Sequence, residues 1–177
     1  MMVITLYHFQ KRIADISIGN TTLRKQGKGA TKVAIDYLKK LPLNKLSNIN
    51  EGEFVRLLDE FTTSLQTKIP NNSWGAARKA INIFLFQASC DLHLVQEYQL
   101  DKIIPYLELP LDNPNAERLK KEAKKEGIKL KWKNIKGLTP EENKELQKYA
   151  LKYAKEKHNC ERCYLDLIFW RSEEIRE

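Results

Sequence analysis

Apolar residues recur at helical spacing along most of the chain, and few stretches alternate in the way that half-buried strands do. Two early segments, 31–40 and 48–70, each place their apolar residues on one helical face. These residues are Val33, Ala34, Tyr37 and Leu38 in the first segment, and Phe54, Leu57, Leu58, Phe61 and Leu65 in the second. Only seven glycines and six prolines interrupt the pattern. The chain is therefore predicted to be mainly α-helical.

The segment "WGAARKAINIFLFQASCDLHLVQEY", residues 74–98, is apolar nearly all round, which is typical of a helix at the centre of a bundle. Pro70 and the polar residues after it separate this helix from the preceding one. A short helix follows and is broken by Pro105.

Two further helices have recognisable ends. The first is predicted over 114–126, with Asn113 as N-cap, Pro114 in the first turn and Gly127 as the stop signal. The second begins after Thr139, because Thr139, Pro140 and Glu142 form a capping-box pattern. The apolar face of this second helix is Leu146, Tyr149, Ala150, Tyr153 and Ala154.

A length of 177 residues favours one domain, 1–177. We expect a compact helical bundle over 31–177, preceded over 1–30 by an N-terminal arm and a basic loop. Residues 128–136 alternate briefly, so this segment could form a short hairpin or strand, or a basic loop.

Composition narrows the class of protein. Apolar residues make up 42% of the chain, which supports a core and excludes a disordered protein. No apolar run approaches the roughly 20 residues of a membrane-spanning helix. Three cysteines and no recognisable export signal favour a cytoplasmic protein. We also expect a monomer without membrane contact.

The net charge of +8 and the pI of about 9.3 favour a polyanionic partner, of which nucleic acid is the commonest. A solvated lysine-rich surface is the alternative. Basic residues cluster at 20–29 and 118–136. The first part of the second cluster also contains Glu122 and Glu126 at a spacing of four residues, which suits an ordinary solvated helix. The candidates for DNA contact are Arg24, Lys25, Lys28, Arg78, Arg118, Lys121 and Lys133.

Lys79 is unusual because it shares a helical face with apolar and small residues. These neighbours are Gly75, Ala76, Ile83 and Phe86. A lysine held on such a face loses hydration, which disfavours its charged form and suits it to Schiff-base chemistry with a sugar aldehyde. The alternative is a lysine whose stem is buried and whose amine reaches water.

Lys79 and Asp112 also fall in two motifs. "GAARKAIN" and "PLDNPNAERL" resemble the "G-x-G-R-K-x-A-N" and "P-V-D-T-H-V-x-R" segments of helix-hairpin-helix DNA glycosylases, the endonuclease III superfamily. The long connection between the motifs is closest to the archaeal 8-oxoguanine DNA glycosylase branch. The hairpin element, "KIPNNSWGAARK", is degenerate, since it keeps Pro70 but lacks the usual pair of glycines. The matching residues are Gly75, Arg78, Lys79, Ala80, Asn82, Pro110, Asp112 and Arg118.

The resemblance implies a DNA repair enzyme that acts on damaged duplex. Lys79 would attack C1′ of an extruded nucleotide, and Asp112 would stabilise the sugar cation, with an abasic-site lyase step to follow. Aromatic residues that could stack on the base, or that belong to the core instead, are Trp74, Phe86, Trp132 and Trp170. The alternatives are a non-catalytic helical nucleic-acid-binding or accessory protein, and a protein-interaction module. Asp112 could equally lie just outside the helix and only complement its dipole.

The three cysteines are too few for the four-cysteine iron–sulfur cluster of many relatives of that family. Cys160 and Cys163 have a C-x-x-C spacing, which suits zinc, a redox pair or ordinary thiols. We expect no metal and no other cofactor.

Overall fold

The computed structural model describes residues 4–19 and 22–170. Eight α-helices occur in these residues, and no strand does. The prediction of a mainly α-helical bundle is thus confirmed. The helices are α1 (Leu6–Ser17), α2 (Ala30–Leu38), α3 (Glu51–Gln66), α4 (Trp74–Ala88), α5 (Leu92–Tyr98), α6 (Asn113–Lys125), α7 (Pro140–Tyr153) and α8 (Leu165–Phe169). Short 3-10 helices cover Leu43–Leu46, Leu100–Tyr106, Ile135–Gly137 and Arg162–Tyr164, and a π-helical turn covers Ala154–His158.

Two apolar clusters form the core. The larger lies among α1 to α5, and the smaller lies among α6, α7, α8 and the segment before α7. Helix α4 packs against α1, α2 and α3 on one side and contacts α7 on the other. The nearly all-apolar sequence of α4 follows from this position, because neighbours cover it on most sides.

The N-terminal region differs from the predicted arm. Residues 6–17 form α1, whose Ile13 and Ala14 are buried in the larger cluster. The buried Gln10 side chain donates hydrogen bonds to the carbonyls of Leu38 and Leu41, 2.9 and 2.8 Å away, and so ties α1 to the end of α2. The basic loop is confined to the residues between these two helices.

The predicted helix over 74–98 is two helices. Helix α4 ends at Ala88, and Asp91 begins α5 by accepting hydrogen bonds from the backbone N–H groups of His93 and Leu94. An Asx cap offers the backbone amides a partner that a continuous helix would not need. Residues Leu100–Tyr106, which include Pro105, form a 3-10 helix.

Residues 128–134 form no hairpin or strand but an irregular loop that leads into the Ile135–Gly137 turn. Trp132 of this loop is buried in the smaller cluster, and its indole N–H donates to Asn113 Oδ1 at 3.3 Å. These contacts hold the loop against the core. Tertiary packing of one tryptophan therefore replaces the strand pairing that the brief alternation suggested.

The predicted capping box of α7 and the glycine predicted to end α6 are confirmed. Thr139 and Glu142 form the capping box of α7, and Gly127 adopts a positive φ of 75° just after α6. The apolar faces predicted for α3 and α7 are buried. On the face predicted for α2, Ala34 and Leu38 are buried, whereas Val33 and Tyr37 are only partly buried. Within the residues described, no helix combines the length and the apolar character that crossing a membrane requires.

Gly75 is the point at which the loop before α7 meets α4. A Cβ atom at this position would lie 2.3 Å from the carbonyl oxygen of Ile135 and 2.8 Å from Leu138 Cβ. Gly75→Ala is therefore expected to destabilise the fold by about 1–2 kcal/mol, because overpacking outweighs the better helix propensity of alanine. Urea denaturation measures this difference.

Gly52→Ala is the matched control, because Gly52 is also helical but its added Cβ would meet only the Asn50 side chain, at 3.4 Å. This change should leave stability the same or raise it slightly. Equal effects of the two substitutions would contradict the close approach at Gly75.

Candidate active site

The structure brings Lys79 and Asp112 together. Lys79 lies in the second turn of α4, Asp112 immediately precedes α6, and Lys79 Nζ is 3.2 Å from Asp112 Oδ2. The Lys79 side chain is 13% exposed and that of Asp112 is 34% exposed. The pair is thus shielded on the α4 side and open to solvent on the carboxylate side.

Asp112 itself is the N-cap of α6, which corrects the prediction that Asn113 caps this helix. Its Oδ1 accepts a hydrogen bond from the backbone N–H of Asn115 at 3.1 Å, and its backbone is extended. The two carboxylate oxygens are therefore divided, with Oδ1 on the helix and Oδ2 on Lys79. Asn113, released from capping, accepts the hydrogen bond of Trp132.

Side chains hold the segment without secondary structure that leads to Asp112, residues 107–112, which is named the strap. Arg162 donates to the carbonyls of Tyr106 and Leu107 at 2.8 and 2.9 Å. Gln147 accepts from the N–H of Leu109 at 3.0 Å and donates to its carbonyl at 2.8 Å. These bonds satisfy strap backbone groups that have no sheet partner.

The strongest attachment of the strap is the ion pair between Glu108 and Arg78. Arg78 Nε and an Nη donate to the two oxygens of Glu108 at 2.8 and 3.0 Å, a bidentate arrangement. Asn82 and Asn143 donate to the same carboxylate at 3.0 and 3.2 Å. Burial acts to raise the pKa of Glu108, but Arg78 and the amide donor of Asn82 outweigh it and hold that pKa below its usual value.

Asp166 is a site residue that the sequence analysis missed. The Asn115 side-chain amide donates to Asp166 Oδ1 at 2.7 Å and to the strap carbonyl of Pro110 at 2.8 Å. Burial raises the pKa of Asp166, and the charge of Asp112 adds to the shift. The available signal was a single acid within the apolar tail segment "CYLDLIFW".

Several predicted contact residues are unavailable in this fold. Arg78 is 5% exposed, and its guanidinium also bonds Asp59 and Thr62, so the predicted DNA contact would require it to leave these partners. Phe86 is 7% exposed and packs edge-to-face on Tyr164. With Trp132 also buried, neither aromatic residue can stack on a base without unpacking the core.

Two aromatic candidates retain accessible surface. Trp74 is half-buried, with the Arg78 guanidinium 5.1 Å from its ring centre. Trp170, just after α8, is 68% exposed. Trp170 thus directly follows the helix that carries Asp166, whose carboxylate accepts from the Asn115 side chain.

The remaining basic candidates divide into two groups. Arg118 is half-buried, stacked 5.8 Å from the Phe169 ring centre and 3.7 Å from Glu122, which does not suit a primary phosphate contact. The others are exposed, and within the described residues no carboxylate lies within 4.0 Å of their charged groups. They are Arg24, Lys25, Lys28, Lys121 and Lys133.

The cysteines show no arrangement suited to a metal. Cys163 is buried beside the Ile104 carbonyl, 3.8 Å from its Sγ, and burial raises the pKa of its thiol to about 12. Over residues 4–19 and 22–170, no group of three or more metal-ligating side chains occurs. The C-x-x-C spacing therefore accompanies a protonated core thiol at Cys163.

A cleft of about 590 Å³ lies on the Arg78 side of α4, between α3 and α7. Trp74, Arg78 and Glu108 line it, together with Asn143 and Gln147. The Lys79–Asp112 pair is not among its lining residues.

Comparisons of the chain with protein-family models, with curated proteins and with solved structures find no significant match. A lysine amine 3.2 Å from a carboxylate has a proton acceptor beside it, and an amine that gives up its proton can serve as a nucleophile.

Glu108 should make folding stability depend on pH. Because its folded-state pKa lies below the unfolded value, its contribution is present above about pH 4.5 and is lost as the pH falls through the folded pKa. We expect Glu108→Gln to cost about 3–5 kcal/mol at pH 7, since Arg78 is left buried and unpaired. The difference between wild type and variant should shrink below pH 4.5 in urea denaturation.

Glu117→Gln provides the control, because Glu117 forms an exposed ion pair with Lys120. This change should alter stability by less than about 1 kcal/mol at any pH. A Glu108→Gln effect that stays constant from pH 7 to pH 3 would argue against an ionised Glu108 in the folded protein.

Proposed function

We propose that this protein removes a damaged base from DNA through a covalent intermediate on Lys79, with Asp112 as its partner. The observation that carries the proposal is the 3.2 Å approach of Lys79 Nζ to Asp112 Oδ2 at a partly exposed site. The two residues are 33 positions apart, and each lies in the motif that resembles the glycosylase pattern.

In the proposed reaction, the Lys79 amine gives a proton to Asp112 and attacks C1′ of an extruded nucleotide. A bond forms between Nζ and C1′ as the bond from C1′ to the base breaks, and the base leaves with the bonding pair. Nζ then gives a proton to the departed base and its lone pair forms the C1′=Nζ double bond of a Schiff base, while the C1′–O4′ bond breaks with its electron pair going to O4′, which takes the proton held by Asp112. In the lyase step water takes a C2′ proton, the electrons form a C2′=C3′ double bond, and the 3′ phosphate leaves with the electron pair of the C3′–O bond.

Asp112 suits this role because its two oxygens are already assigned. Oδ1 is fixed by the N–H of Asn115 at the start of α6, where the helix dipole favours a negative charge. Oδ2 faces Lys79, where it can accept the proton and stabilise positive charge that develops on the sugar.

The extruded base needs an accessible surface near this pair. Trp170 supports this part of the proposal, since it is 68% exposed and follows the helix that carries Asp166. Half-buried Trp74 is the second candidate. Duplexes that contain 8-oxoguanine or an abasic site are the first substrates to compare in order to identify the base.

Borohydride reduction of a Schiff base tests the proposal. Wild type is expected to form a covalent complex with a duplex that contains an abasic site, and Lys79→Ala should form none. Asp112→Asn should trap about 100–1,000-fold more slowly, since it removes the charge. Because asparagine caps helices as well as aspartate does, the fold of this variant should remain intact.

Lys144→Ala is the control, since Lys144 is an exposed lysine of α7 outside the candidate site. It should trap at the wild-type rate. Full trapping by Lys79→Ala, or no trapping by wild type on any damaged duplex, would reject the covalent mechanism. DNA binding that persisted unchanged in Lys79→Ala, without any trapping by wild type, would instead indicate the non-catalytic alternative.

A further inference from the structure

The net positive charge of the chain is concentrated in three connecting segments, residues 22–29, 67–73 and 127–139. Together they contain eight lysines and arginines and no aspartate or glutamate. The whole chain has 31 lysines and arginines and 23 aspartates and glutamates, so without these eight the two signs are equal in number. The eight are Arg24, Lys25, Lys28, Lys68, Lys129, Lys131, Lys133 and Lys136.

The first two segments are packed together beside the start of α4. The Asn71 side chain donates to the carbonyl of Lys25 at 2.9 Å. Gly27 has a φ of 98°, and a Cβ atom there would lie 2.8 Å from Pro70 Cβ. Segment 22–29 is therefore packed against the α3–α4 turn.

The third segment, 127–139, packs in the smaller apolar cluster and contacts the same end of α4. Ser73, the N-cap of α4, donates through its hydroxyl to the carbonyl of Ile135 at 3.5 Å. The close approach at Gly75 brings the same carbonyl against the first turn of the helix. Lys79 follows Gly75 by about one helical turn.

The charged groups of these segments are available to a partner. All eight residues are exposed, and among the described residues none has a carboxylate within 4.0 Å. Two lysines of α6 contrast with them, because Lys120 and Lys125 are paired with Glu117 and Glu122. A cluster of basic residues without acidic ones is the pattern of a surface that binds phosphate groups.

We propose that segments 22–29, 67–73 and 127–139 form one surface that binds the phosphate backbone of nucleic acid around the N-terminal end of α4. Charge complementarity identifies the partner, because repeated phosphates match repeated lysines that lack internal partners. The inference extends the proposed function beyond the reacting nucleotide, but it does not require chemistry at Lys79.

Salt-dependent binding to an undamaged 20-base-pair duplex tests this surface, measured by fluorescence anisotropy. The slope of log K against log salt should be about −0.9 for each phosphate contacted. The triple variants Arg24→Gln/Lys25→Gln/Lys28→Gln and Lys131→Gln/Lys133→Gln/Lys136→Gln should each make the slope shallower by about 2–3. All these side chains are exposed, so folding should be unaffected.

A control variant removes the same charge from elsewhere. Lys45, Lys144 and Lys148 are exposed and belong to the balanced part of the chain, so their triple glutamine variant should keep the wild-type slope. Equal loss of slope in all three variants would mean that overall charge alone attracts the duplex, which overturns the proposal.

Two further measurements separate this inference from others. Lys79→Ala should keep the wild-type slope, so failure of the glycosylase proposal would leave the surface intact. Vesicles with 30% phosphatidylserine should not be bound at a salt concentration that permits duplex binding. Vesicle binding without duplex binding would assign the surface to a membrane and reject the proposed partner.

Discussion

The buried ion pair between Arg78 and Glu108 is the constraint on which the candidate site depends. Arg78 immediately precedes Lys79 in α4, and Glu108 lies four residues before Asp112 on the strap. The ion pair therefore joins the helix to the strap directly beside the candidate pair. A buried carboxylate that lost its donors would cost several kcal/mol, so the strap has little freedom to shift along α4. Asn82, Asn143, Gln147 and Arg162 add bonds to the same segment, and the position of Asp112 follows from them.

Asp112 combines structural and chemical properties in one carboxylate. The cap bond through Oδ1 fixes the orientation of the side chain, which leaves Oδ2 aimed at Lys79 rather than free to rotate. Oδ2 lies 3.2 Å from the amine of Lys79, whose side chain is 13% exposed. A cap and a charged partner are often treated as competing explanations for such a residue, but here the first makes the second possible.

The distribution of charge has a similar logic. Outside segments 22–29, 67–73 and 127–139, basic and acidic residues are equal in number, and several of them are paired at i,i+3 or i,i+4, whereas these three segments carry the excess. Repulsion among these lysines costs little at exposed positions, because solvent screens it. Packing of Gly27 on Pro70 and of Gly75 against Ile135 keeps the basic connections close to the helix of Lys79.

The sequence by itself determined the fold class, most helix positions, the cap of α7 and the two residues of the candidate pair. Periodicity and capping are local properties, so α3, α6 and α7 could be predicted from them within a few residues. Only the tertiary structure decided that Arg78 lies in the core, that Trp132 anchors a loop, that Asp112 is the cap, and that Asp166 joins the site. The cap is a local bond, but the other three depend on which distant groups satisfy a polar atom. Spacing along the chain does not encode that pairing, because these partners are separated by 16 to 51 positions.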